Sequence, residues 1–139
     1  MCMSGTLPLA LLSEENTRIG AVCQPALPWS WTNGLRHDLA LSPKDLSDGL
    51  DRIGSQKLVV LGFRFDTDRT APKERFDEVV KRVVSAGGIY WRFPISSAEE
   101  PNEKHATFTF DFSDAPGSPT LQRFGNLVTE FKRALEETN

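Results

Sequence analysis

The chain reads as an α/β protein with a mainly parallel sheet flanked by helices, and three observations say so. The run from Lys57 to Phe65, KLVVLGFRF, is apolar and β-branched without alternation, the pattern of a strand buried on both faces. Directly after it, Pro72 opens a segment whose apolar residues Phe76, Val79, Val80, Val83 and Val84 form one helical stripe that stops at Gly87-Gly88. A further strand follows at once, Ile89 to Ile95. Strand, helix and strand in succession mean a right-handed crossover and parallel pairing.

The remaining elements extend that alternation. MCMSG is small and flexible, and Thr6 to Leu12 is a short apolar helix with Pro8 tolerated in its first turn. Thr17 to Cys23 is a short buried strand, closed by the prolines of QPALPW. Ser30 to Leu41 shows no periodicity and carries an Asn33-Gly34 turn signal, so a loop is expected. Ser42-Pro43 with Asp45 starts a helix having Leu46, Leu50 and Ile53 on one face and Gly54 as its stop. Beyond the third strand, a polar loop from Ser96 to Lys104 delivers His105. Ser118-Pro119 then caps a helix reaching about Glu137, with Leu121, Phe124, Leu127, Val128, Phe131 and Leu135 as its stripe.

Length and composition narrow the classes. The 139 residues allow one globular domain at most, with all of 1–139 in one unit, and the net charge of -3 with scattered Lys and Arg offers no footprint for nucleic acid. No apolar run has the length of a membrane span, and Met1 to Leu12 lacks the charged flank and cleavage pattern of a signal peptide, so a cytoplasmic protein is expected. The two cysteines are too few for a disulfide framework. With no phosphate loop, dinucleotide fingerprint or metal-ligand spacing, neither a cofactor nor a metal is implied.

Three residues carry chemistry. Cys2, Asp68 and His105 follow the chain order nucleophile, acid, base, each just past a strand or where one should end. A thiol at the mouth of a helix meets the positive helix end, which favours the thiolate, and a neighbouring imidazole can take its proton. An Asp would hold that imidazole in one tautomer. Each residue also has a plainer reading. Cys2 could be a small buried hydrophobe, Asp68 or Asp66 a helix cap, and His105 a surface histidine. Cys23, inside a strand, reads as core, and His37, between Arg36 and Asp38, as solvated. Trp29, Trp31 and Trp91 could line an apolar pocket or belong to the core, and Arg64 could be paired near the site or merely packed.

Four segments resemble the dienelactone hydrolase family of the α/β-hydrolase superfamily. MCMSG is similar to its nucleophile elbow, with Cys2 at the nucleophile and Gly5 at the closing glycine. RIGAVCQPALP resembles the strand after the nucleophile helix. LGFRFDTDRTAPKERF resembles the acid-bearing turn, matching Asp68 together with Pro72, Arg75 and Phe76, and HATFTF resembles the segment of the base, His105. The resemblance implies a Cys2, Asp68 and His105 triad with the backbone N–H of Met3 as an oxyanion donor. It implies the C-terminal part of a partial α/β-hydrolase fold, its N-terminal strands and the loop bearing the second oxyanion donor missing. One donor without the other would cost on the order of 100-fold or more in rate. Ser4 stands where many relatives have Gly. The family's arginine shortly after the base has no match from Thr107 to Phe110, which leaves the substrate-binding residues unknown.

The expected activity is hydrolysis of a small-molecule carboxylic ester or lactone, conditional on that N-terminal half. Two alternatives stay open: a catalytically silent truncated fragment begun at an internal Met, and a small α/β binding module in which the three residues are incidental. An unpaired edge on the first strand would invite a homodimer.

Overall fold

The computed structural model describes residues 2–29 and 31–136. Met1, Ser30 and the expected helix end at Glu137 lie outside the described residues. A 3-10 turn, Cys2–Ser4, leads into α1 (Leu7–Leu11), followed by β1 (Ile19–Cys23), α2 (Asn33–His37), α3 (Pro43–Gln56), β2 (Val59–Phe65), α4 (Lys73–Ser85), β3 (Ile89–Ile95) and α5 (Pro119–Glu136). The sheet has the order β1-β2-β3 and both pairings are parallel, Ile19 facing Val59 and Val59 facing Ile89. This is the α/β architecture with a parallel sheet flanked by helices.

β2 is central because its residues suit no other place. Val60 to Phe65 are all buried, as a strand covered on both faces requires. On one face, Val22, Leu58 and Val60 join Leu9 and Leu12 of the α1 region, Ile53 of α3, and Val79 and Val83 of α4. On the other, Cys23, Leu61 and Phe63 meet Phe93, Phe108 and Leu127. Phe108 presses edge-on against Phe63 at 4.9 Å between ring centres, and Phe93 stacks on it at 5.1 Å. Parallel strands carry every chain end to one edge of the sheet, so the segments after β1, β2 and β3 gather there.

Four expectations need correction. The stretch from 30 to 41 is not all loop. Thr32 caps α2 by accepting a hydrogen bond from Leu35 N, and Arg36 pairs with Glu74 at 2.9 Å, so Asn33-Gly34 opens a helix rather than a turn. Gly54 does not stop α3, which ends only where Lys57 turns left-handed at φ 53°. A Cβ on Gly54 would lie 2.0 Å from the Ala86 carbonyl oxygen, so this glycine serves close packing on the end of α4. The stripe of α5 is only partly core: Leu127 packs on the sheet, whereas Phe124, Phe131 and Leu135 stay substantially exposed. Trp29, Trp31 and Trp91 are exposed too and form no part of the core. No helix among the described residues is long and apolar enough to cross a membrane.

Candidate functional site

Asp68 lies in the turn that joins β2 to α4. Asp66 N donates to Ile95 O at 2.8 Å, extending the sheet one residue past β2, and Asp68 N donates back to Phe65 O to close the turn. The two carboxylate oxygens of Asp68 divide the labour. Oδ1 accepts from Thr70 N and Ala71 N at 2.8 and 2.9 Å, holding the approach to the helix, while Oδ2 faces Nδ1 of His105 at 2.8 Å. The helix-cap reading of Asp68 does not hold, because the N-cap of α4 is Pro72 and receives no side-chain bond; Oδ1 closes the turn before the helix, and Oδ2 meets the base. Arg64, buried late in β2, braces the turn through Nε to Ala71 O at 3.0 Å and Nη2 to Asp68 O at 2.8 Å, with Nη1 3.6 Å from Asp66. Burial pushes the Asp68 carboxyl above the ordinary range, outweighing the opposing pull of the Ala71 N–H, the His105 ring and the Thr70 N–H.

His105 arrives on a loop fixed at both ends. Thr67 Oγ1 donates to Asn102 O, and Arg123 of α5 donates to Pro94 O and pairs with Glu99 at 2.8 Å. An ionised carboxylate only accepts, so the contact with Asp68 places the ring proton on Nδ1 and the lone pair on Nε2. That Nε2 is buried and has no hydrogen-bond partner among the described residues. The backbone of the base is gripped separately: His105 N and Ala106 N both donate to Oδ2 of Asp111, at 2.9 and 2.8 Å. Burial raises the Asp111 carboxyl, but the Ala106 and His105 N–H groups and the nearby Lys104 and His105 outweigh it and hold the carboxyl below the ordinary range.

Cys2 occupies the same sheet edge, beside the end of β1. Its carbonyl accepts from Gly5 N and from Ala26 N, both at 3.0 Å. A Cβ on Gly5 would come within 2.6 Å of Cys23 O, so only glycine lets the turn seat against the end of β1. Cys2 itself adopts φ 59°, a left-handed conformation that costs a non-glycine residue about 1–3 kcal/mol. Its side chain is partly buried, and Met3 follows in the same turn. The structure thus joins Asp68 to His105 and sets Cys2 on the same edge, but among the described residues no hydrogen bond links Cys2 to His105. Catalytic hydrogen bonds are often long before a substrate binds. Cys23, the other thiol, is buried in β1, and burial pushes it up to about 12, which leaves it inert.

Sequence reasoning passed over the supports. Asp111 lies in the turn after HATFTF, and nothing in its local sequence signals contact with the base. Arg75, named only within the family match, is fully buried and donates to Pro25 O at 2.9 Å and to Pro28 O and Leu35 O at 2.6 Å. It ties α4 to the segment that leaves β1. Gln24, in that segment, is left-handed at φ 39° and fully buried with both amide atoms unpaired.

Comparison with models of protein families, with curated proteins and with solved structures yields no match.

Proposed function

We propose that this chain is a carboxylic ester or lactone hydrolase of the dienelactone hydrolase type, with Cys2 as nucleophile, His105 as base and Asp68 as the acid that orients it. The observation that carries this reading is the 2.8 Å contact between buried Asp68 Oδ2 and His105 Nδ1, which aims the basic Nε2 away from the carboxylate. In the proposed reaction, Nε2 takes the Cys2 thiol proton and the thiolate attacks the substrate carbonyl carbon. The resulting tetrahedral intermediate ejects the alkoxide, which leaves as the alcohol with the proton from Nε2, and a thioester remains. Water then gives a proton to Nε2 and attacks the thioester. The acid departs and the Cys2 sulfur recovers its proton. The backbone N–H of Met3 is the proposed oxyanion donor. Free thiols at Cys2 and Cys23 suit a reducing, cytoplasmic setting.

The test is hydrolysis of p-nitrophenyl acetate and of a simple aryl lactone, with mass spectrometry of the quenched protein. Acetylation of Cys2 that disappears in Cys2→Ala and fails to accumulate in His105→Ala supports the reading. Turnover unaffected by Cys2→Ala would remove the triad from the account.

The missing link between Cys2 and His105 favours a second reading, a catalytically silent α/β module. β1 supports self-association in that case, since it pairs only with β2 among the described residues and leaves its other edge open. Absence of turnover together with a dimer in sedimentation analysis would select this alternative.

A further inference from the structure

We infer that Asp111 is the positioning residue of the base: it holds the backbone of His105 so that the ring meets Asp68, and it does so by accepting two N–H groups on one oxygen. This rests on the hydrolase reading only for its effect on rate, since the geometry stands without it.

Little besides these bonds fixes His105 among the described residues. Among the described residues the ring has one hydrogen-bond partner, Asp68, and the residue belongs to no helix or strand. Its main-chain N–H and that of Ala106 converge on Asp111 Oδ2. The chain from 106 to 112 curls back to make this possible, with Thr109 N and Asp111 N donating to Ala106 O and Phe112 N to Thr109 O. Phe108 anchors the curl on Phe63 of β2, and Phe112 on Phe124 of α5 at 5.8 Å. Asp111 thereby ties His105 to a turn that is itself packed on the strand leading to Asp68. The two carboxylates act on different parts of the base, one on the ring and one on the backbone.

Because both N–H groups meet a single oxygen, an amide oxygen can replace it. Asp111→Asn should keep the His105 geometry and lose only the charge, whereas Asp111→Ala should lose both bonds. The first readout is the downfield proton resonance of the His105 Nδ1–H in the resting protein, which senses the distance to Asp68 and needs no turnover. The second is p-nitrophenyl acetate hydrolysis resolved into kcat and KM. Asp111→Asn should retain the resonance and stay within about 3-fold of the parent kcat. Asp111→Ala should shift or broaden the resonance and lower kcat by roughly 10- to 100-fold with KM little changed. If Asp111→Ala does not fold, the Asn variant decides alone: a retained resonance supports positioning, and a lost one overturns it. An unchanged resonance in folded Asp111→Ala would also overturn it, as would an Asn variant damaged as badly as the Ala variant. A parent protein that shows the resonance but hydrolyses nothing refutes the hydrolase reading and leaves the role of Asp111 tested.

Discussion

Asp68 and His105 stand 37 residues apart in the chain, yet Oδ2 and Nδ1 meet at 2.8 Å. The contact exists because β2 and β3 run parallel and release both segments at one edge. Replacing Asp68 by Asn separates the two duties of the carboxylate. An amide oxygen can still accept from Thr70 N and Ala71 N, so folding should persist, whereas the amide group favours the wrong imidazole tautomer. Asp68→Asn should remain folded by circular dichroism and lower esterase kcat by on the order of 10³- to 10⁴-fold. A loss smaller than 10-fold would show that the contact does not serve catalysis.

The two thiols should behave differently toward iodoacetamide. Cys2, partly exposed at the sheet edge, should be alkylated in the native protein at neutral pH. Cys23 should react only after denaturation, because it is buried and pushed up to about 12. Peptide mapping after timed quenching reads the order, and equal rates at the two sites would contradict the buried position of Cys23.

Gly5 should not tolerate a side chain. In Gly5→Ala the new methyl meets backbone atoms of Cys23 and Pro25, which cannot swing aside as a flexible side chain would. The expected cost is about 1–3 kcal/mol in urea unfolding. Displacement of the Cys2 turn should also lower esterase rate at temperatures where the variant remains folded.

Arg75 holds the carbonyls of Pro25, Pro28 and Leu35 with one guanidinium. Arg75→Ala leaves the buried Pro25 carbonyl and the half-buried Pro28 and Leu35 carbonyls unpaired, and with about 1–3 kcal/mol for a buried acceptor a loss of roughly 2 kcal/mol is expected by denaturant titration. Arg75→Lys should recover little, because a compact ammonium cannot span three oxygens set for a planar fork.

Stability should respond to acid with opposite signs at two carboxyls. Asp111 sits below its ordinary range when folded, so it stabilises at neutral pH, and that contribution is lost as pH falls through the carboxylate range and below. Asp68 sits above its ordinary range, so the fold favours its protonated form and the penalty it imposes at neutral pH fades on acidification. The stability advantage of the parent over Asp111→Asn should therefore shrink as pH drops. On acidification the stability of Asp68→Asn relative to the parent should fall at higher pH, between the raised Asp68 value and the ordinary carboxylate value, before the Asp111 effect sets in. Thermal melts of the three proteins between neutral pH and pH 3 read both trends.

Much of this molecule is legible in its sequence. The unalternating run into Phe65 marked a strand with two covered faces, because only such a strand has no polar side to show. The stripe beginning at Phe76 marked a helix with one face on the sheet, and together they dictated a parallel α/β order. The same reading put Asp68 and His105 after successive strands. Local pattern reports which face of an element is buried, and hence its type. It does not report what a polar side chain finds across the fold. That Asp68 turns its second oxygen to His105, that Arg75 is sealed among three carbonyls, and that Gly54 packs a helix instead of ending it all depend on partners distant in the chain, and the local grip of Asp111 on the base rests on a turn that Phe108 anchors on Phe63. Those contacts form only when the folded sheet brings distant segments together, which is why tertiary structure alone decides them.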